Sequence, residues 1–308
     1  MAGHVFARPT SFLTLVTPNE LFRVKTHSGS LQLQPSRLKH VVYYWLTRFP
    51  PLYLFLERRR RQGNWDKRVY LSFVQSGDVV LDVGANFGAH TIIFSHLVGR
   101  KGKVIAFEPV PDSFDALQEN VDQRSRFSNI SIFQLAVGNP ASLNDAVVIR
   151  VPGDDFGQAS LAIQTAGSWE HHHNIREYSC SITSLDADIT VQRLPRVDFV
   201  KIDVEGGELN VLQGAARTLS KHRPLLYCEV YEKWAASFGY TPTALLTFVR
   251  SLGYASARVI TKGNVHSLSL DEPTPEGWFD TSSDVLFFTS EHARLVERFD
   301  RRFQRTGS

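Results

Sequence analysis

From Asp78 onward the chain alternates short apolar runs with longer amphipathic stretches. Val79–Val83 is apolar apart from Asp82, stops at Gly84 and gives way to helical spacing over residues 91–98. Lys103–Phe107 and residues 130–137 read as a second and a third strand, with a helix over 113–121 between them. Residues 138–180 break the rhythm: Gly153, Gly157 and Gly167, with the alternating Val147-Val148-Ile149-Arg150-Val151, suit an inserted hairpin and loop. The alternation resumes with strands over 197–202 and Leu225–Val230 and helices over 208–219 and 242–252, and ends in two late strands over 254–260 and 285–289.

This rhythm predicts an α/β fold with a doubly wound, mostly parallel seven-stranded sheet covered on both faces, its last two strands forming an antiparallel edge hairpin. Residues 1–77 read as a helical and β appendage, with helical pieces near 38–46 and 65–74. Residues 78–290 form the main domain, and 291–308 a C-terminal surface helix that turns Leu295, Phe299 and Phe303 to the body.

Composition changes this picture little. With 43% hydrophobic and 21% charged residues in 308, the chain is ordinarily globular. Cys180 and Cys228 make neither a disulfide framework nor a metal motif. Charge is more informative. Residues 1–77 carry 12 Lys or Arg against 3 Asp or Glu, whereas 78–308 carry 22 against 28. A basic arm suits a phosphate-bearing acceptor, an anionic membrane or nucleic acid, and equally a solvated face; no nucleic-acid motif accompanies it. The apolar stretch 41–56 is interrupted by Arg48, Pro50 and Pro51 and falls short of the roughly 20 residues that span a bilayer. It is read as two short helices over the mouth of the domain, with surface contact to a membrane through residues 41–61 as the alternative. Without a secretory signal, the expected compartment is the cytoplasm.

The chemistry concentrates at strand ends. Asp82-Val83-Gly84-Ala85-Asn86-Phe87-Gly88 hands a strand to a helix through glycines that let the backbone turn tightly beside a ligand. Glu108 ends the second strand, where an acid accepts the hydroxyls of a ribose. Asn86 replaces the middle glycine of a dinucleotide fingerprint, and Asp82 suits a cofactor carrying cationic groups. The turn and Val104-Ile105-Ala106-Phe107-Glu108-Pro109 resemble the two nucleotide-binding signatures of class I methyltransferases. Ile182-Thr183-Ser184-Leu185-Asp186, then Lys201-Ile202-Asp203-Val204-Glu205-Gly206 and Glu208-Leu209-Asn210-Val211-Leu212, follow in an order that resembles the FkbM methyltransferase family, over roughly residues 77–289.

The resemblance implies O-methylation of a hydroxyl on a sugar, polyketide or other natural product, with S-adenosylmethionine as donor. It implies Gly84, Asn86 and Gly88 at the methionine portion, with Asp82 and Ala85 in the same turn. Glu108 and Pro109 fall at the ribose, and Gln134 and Ala136 border the adenine. For the chemistry the candidates are Asp203 nearest the methyl donor, Glu205 as orienting or basic group, and His90 as a base at a helix N-terminus; Glu229 is a further pocket acid by position. No residue is singled out as a metal ligand, His171-His172-His173 reading as a solvated loop or lid, and whether the reaction needs a metal is not legible. The alternatives are a methyltransferase-like protein that binds nucleic acid or anionic membrane through its basic arm, and an N-methyltransferase of a small molecule. The acceptor and the oligomeric state are not legible.

Overall fold

The central sheet has eight strands. A computed structural model describes residues 52, 54–56, 65–139, 146–171, 174–261 and 264–303. Apart from residues 52 and 54–56, the expectations for the first 64 residues fall outside these, as do those for His172 and His173. Pro50–Ser308 is one compact unit.

Helix α1 (Trp65–Phe73) leads into β1 (Val79–Val83), α2 (Ala89–Val98), β2 (Lys103–Phe107), α3 (Pro111–Arg124) and β3 (Ile130–Phe133). Next come β4 (Ala136–Val137), β5 (Val147–Pro152), β6 (Ile175–Cys180), β7 (Ile182–Thr183), α4 (Ile189–Gln192) and β8 (Phe199–Ile202). The series closes with α5 (Glu208–Gln213), α6 (Ala216–His222), β9 (Leu225–Val230), α7 (Glu232–Ser237), α8 (Pro242–Ser251), β10 (Ser256–Thr261), β11 (Asn264–Ser269), β12 (Ser283–Phe288) and α9 (Ala293–Phe303).

In space the order is β11-β10-β12-β9-β8-β1-β2-β3. From β3 to β9 all neighbours are parallel, and β12 lies antiparallel between β9 and β10. The chain runs outward from β1 to β3, then returns to place β8 on the other side of β1. That reversal makes a crevice at the carboxyl ends of β1 and β8, where open α/β sheets take ligands.

All five residues of β1 and all four of β8 are buried, as expected for strands covered on both faces. Complete burial of a side chain such as Leu81, Ile105 or Val200 stabilises the fold by about 1.5–3 kcal/mol. Pro111 at the first turn of α3, and Pro242 in α8 behind a Thr241 cap, fix where those helices begin.

Four elements differ from the sequence expectation. The sheet has eight strands, because β11 pairs with β10 at the edge; the antiparallel β12 sits inside the sheet. The expected third strand is divided: β3 stays in the sheet, while β4 pairs with β7 in a separate ribbon. Residues 65–74 belong to the body and not to an appendage. Tyr70 is fully buried, with ring centroids 4.5 Å from Phe94, 5.6 Å from Tyr227 and 5.9 Å from Phe199. Among the described side chains of α9, Val296 and Phe299 are buried and Leu295 is only half-buried, while the expectation for Phe303 falls outside them. Within the 138–180 excursion, β5 and β6 form an antiparallel hairpin.

Candidate active site

The turn after β1 is held by the backbone of β2. Gly84 N–H and Ala85 N–H both donate to Phe107 O, each at 3.0 Å. Gly84 has φ +78, and a methyl group there would overlap the carbonyl oxygen of Asp203; only glycine lets β1 and the loop after β8 come this close. Asn86 also takes a left-handed conformation, at φ 50, a region Asn tolerates better than most residues. Its N–H donates to Glu108 Oε2 at 2.7 Å, while Val110 N–H donates to Oε1 at 2.9 Å. Glu108 is thereby aimed and still keeps lone pairs for a ligand. Burial pushes its carboxyl up to about 7, against the pull of the two N–H groups and of Lys201.

These residues border a cavity of about 740 Å³ including its open mouth. Gly84, Asn86, Glu108 and Pro109 form one wall, and Asp203, Val204 and Glu205 another. Leu135, Ala136 and Val137 supply an apolar side, and Phe156, Gly157, Ala159 and Leu161 reach in from the β5–β6 excursion. Trp169 in the same excursion is buried, with its indole N–H donating to Gln158 O at 3.1 Å.

The loop after β8 is tightly specified. Glu205 has φ 57 and Gly206 φ 101. The buried Glu208 accepts from Val204 N–H and Gly206 N–H, each at 3.1 Å, and Tyr240 OH lies 3.2 Å from its other oxygen. Ser160 Oγ and Gln164 Nε2 donate to Glu205 O from the excursion, each at 2.8 Å. A non-glycine residue in a left-handed conformation, fixed from both sides, is the kind of strain that clusters at functional sites.

Asp203 also borders a second, polar cavity with Asp66, Tyr70, His90, Lys201, Tyr227, Glu229 and Asp284. Lys201 Nζ lies 3.2 Å from Asp203 Oδ2 and 3.7 Å from Asp82 Oδ1. Glu205, Glu229 and Asp203 each bring one carboxylate oxygen within 4.8 Å of the others. Burial, followed by the charges of Glu229, Asp203 and Glu208, pushes the Glu205 carboxyl well up. Burial and the charge of Asp203 do the same to Glu229.

The structure thus gathers Gly84, Asn86, Glu108, Pro109, Ala136, Asp203 and Glu205 around one cavity and puts His90 beside the other. Asp82, Ala85, Gly88 and Gln134 line neither. Asp82 is wholly buried and accepts from Thr91 Oγ1 at 2.6 Å, so it braces Lys201 and α2 instead of facing a ligand. Ala85 packs with Ala106 and Leu117. A side chain at Gly88 would strike Leu117. Gln134 is exposed where the chain leaves the sheet, and Leu135 borders the cavity in its place.

His90 meets Lys67 Nζ at 3.2 Å through Nε2 and Tyr70 OH at 2.8 Å through Nδ1. An ammonium cannot accept, so Nε2 accepts and Nδ1 carries the proton toward Tyr70. Burial, with Lys67 and Lys201 nearby, holds the ring well below its usual pKa and hence neutral. Both nitrogens are engaged, which suits positioning better than proton abstraction. Sequence reasoning passed over Lys201, Glu208, Asp66, Tyr70 and Asp284.

Strand order, the turn on β1 and the acid ending β2 define a class I methyltransferase fold of the Rossmann-like kind. The chain belongs to the FkbM methyltransferase family, whose domain matches residues 82–256. The hexuronic acid methyltransferase AglP of Haloferax volcanii is 33% identical over 154 residues, 49% of this chain and 56% of that protein. The 31-O-demethyl-FK506 methyltransferase FkbM of Streptomyces tacrolimicus is 28% identical over 160 residues, 46% of this chain and 60% of that protein. The chain therefore spans less than two thirds of either relative. A solved FkbM methyltransferase from Methylobacillus flagellatus KT superposes with a TM-score of 0.41 at 18% identity, over 82% of this chain and 59% of that one. Among the described residues no helix is long and apolar enough to cross a membrane.

Proposed function

We propose that this protein transfers a methyl group from S-adenosylmethionine to a hydroxyl of a polar acceptor of the sugar class. The observation that carries the reading is the pair of cavities meeting at Asp203. One is walled by the glycine turn and Glu108, the other by acids, tyrosines, a histidine and a lysine.

S-adenosylmethionine supplies, when bound, an electrophilic methyl group on a sulfonium. Glu108 receives the ribose hydroxyls with the lone pairs that Asn86 and Val110 leave free. Leu135, Ala136, Val137, Ile149 and Phe156 offer the adenine an apolar slot. Gly84 and Asn86 bring backbone close to the methionine part. Asp203, held by Lys201, faces both cavities and orients the acceptor hydroxyl toward the donor, and such alignment supplies much of the acceleration in a displacement reaction. The polar second cavity suits a polyol better than an apolar polyketide, in keeping with the sugar acid in AglP's name.

Radiolabelled methyl transfer to a panel of uronic acids, neutral sugars and macrolides tests this. Alkali-stable incorporation into sugar hydroxyls is expected, with Asp203→Asn lowering kcat. Incorporation into an amine, or into none of them although the donor binds, would contradict the acceptor assignment.

A further inference from the structure

The seam between the two cavities holds a charge problem that the side chains alone do not solve. Asp203, Glu205 and Glu229 converge from the loop after β8 and the end of β9, with one oxygen of each within 4.8 Å of the others. Lys201 is the cation paired with this group among the described residues. It is shared between Asp203 and Asp82, so neither glutamate receives it as a salt-bridge partner.

Glu205 and Glu229 are half-buried as whole residues, but the Oε2 atom of each is closed off from solvent and has no hydrogen-bond partner. Glu229 Oε1 is occupied by Ser282 Oγ. A buried acceptor left without a partner is costly. A cation among them relieves the repulsion and gives both oxygens a partner.

We propose that Asp203, Glu205 and Glu229 bind a divalent cation of the hard, oxygen-preferring kind. Ligand spacing agrees. Oxygens on opposite sides of a cation stand about 4.2 Å apart across Mg²⁺ and about 4.8 Å across Ca²⁺, and Mg²⁺ is six-coordinate. Three carboxylates therefore leave coordination positions for water and for an acceptor oxygen. The position matters as much as the charge: Glu205 borders the Gly84–Glu108 cavity, Glu229 the polar one, and Asp203 both. A cation here grips an acceptor hydroxyl at the junction and lowers its pKa, a task for which His90 has no free nitrogen. The role in methyl transfer rests on the reading given under Proposed function; the binding of the cation does not.

The test is a titration of the whole, metal-stripped protein with Mn²⁺, followed by electron paramagnetic resonance, with Mg²⁺ as competitor. One saturable Mn²⁺ per chain is expected, displaced by Mg²⁺. Glu229→Gln and Glu205→Gln should each weaken it about tenfold or more, because affinity follows the number of charged ligands. Glu229 lies outside the Gly84–Glu108 cavity, so Glu229→Gln should keep the wild-type affinity for S-adenosylmethionine, which shows that it folds. Absence of saturable binding to the wild-type protein in the millimolar range would overturn the proposal, and so would unchanged affinity in both variants. Manganese binding without S-adenosylmethionine binding would support the cation site while removing the methyl-transfer reading. The opposite result would remove the site and leave that reading standing.

Discussion

Replacing Lys201 by Met removes a buried ammonium while roughly preserving side-chain length, and its effect can be worked out from the structure. Lys201 stands opposite Asp82 in the β1–β8 register, with 3.7 Å between charged atoms and Asp82 entirely out of solvent. At an effective dielectric near 20, two charges at that distance attract by about 4–5 kcal/mol. Breaking one side of a buried pair typically costs about 3–5 kcal/mol. Asp203 adds little, since more than a third of its side chain is exposed and water screens it.

The loss should depend on pH with a definite sign. Burial already pushes the Asp82 carboxyl up, and Lys201, then Thr91, pull it down. Without Lys201 it rises further, so the cost is full where Asp82 must be ionised and shrinks as falling pH protonates it. Urea unfolding followed by tryptophan fluorescence should show about 3–5 kcal/mol lost at pH 8 and clearly less at pH 5. Asp82→Asn added to the variant should restore much of the loss at pH 8. A Lys201→Met protein within about 1 kcal/mol of wild type at pH 8, or equally impaired at both pH values, would refute this account of the sheet's charged centre.

Glu108→Gln should weaken S-adenosylmethionine binding by roughly 10–100-fold in calorimetry, the worth of one or two hydrogen bonds to a charged acceptor; an unchanged Kd would remove Glu108 from the site. Gly84→Ala forces a methyl group onto Asp203 O and should fail to accumulate as folded protein, whereas Gly253→Ala, where a methyl group meets nothing, should cost only its strained φ of +93. Equal solubility and melting temperature for the pair would contradict the close approach of β1 to the β8 loop. Burial pushes Glu208 up to about 7 from an ordinary 4.5, so the stability it contributes is intact below pH 4.5 and lost as pH rises through 7. Glu208→Gln, which can still accept from Val204 and Gly206, should match wild type near pH 4.5 and exceed it at pH 8 by on the order of 3 kcal/mol; unfolding curves showing no gain at pH 8 would count against it.

What the sequence revealed follows physical range. The turn at Gly84 and the acid at Glu108 were legible because each is local: a strand end, a glycine, a helix start. The parallel core was legible because β1, β2 and β8 are apolar at all but one position each. Lys201 was not, because a charge inside an apolar strand makes sense only once Asp82 is known to lie opposite on the next strand. Asp82 was misjudged for the same reason: a strand-end acid looks ligand-facing until its cross-strand partner is seen. The part of α1 in the site was hidden by a change in charge balance at residue 77, which separated Asp66 and Tyr70 from the body they pack against. The half-polar edge strand β11 carries no hydrophobic alternation to announce it. The meeting of Glu205 with Glu229 depends on a left-handed residue and a neighbouring strand, neither of which spacing reveals.

The central claim, that the Gly84–Glu108 cavity is the seat of S-adenosylmethionine, is tested most directly by calorimetric titration of the whole protein with S-adenosylmethionine and S-adenosylhomocysteine. The account predicts one site per chain with micromolar-range affinity for both, on the order of −8 kcal/mol, weakened in parallel by Glu108→Gln. No heat of binding from either compound to folded protein would contradict it.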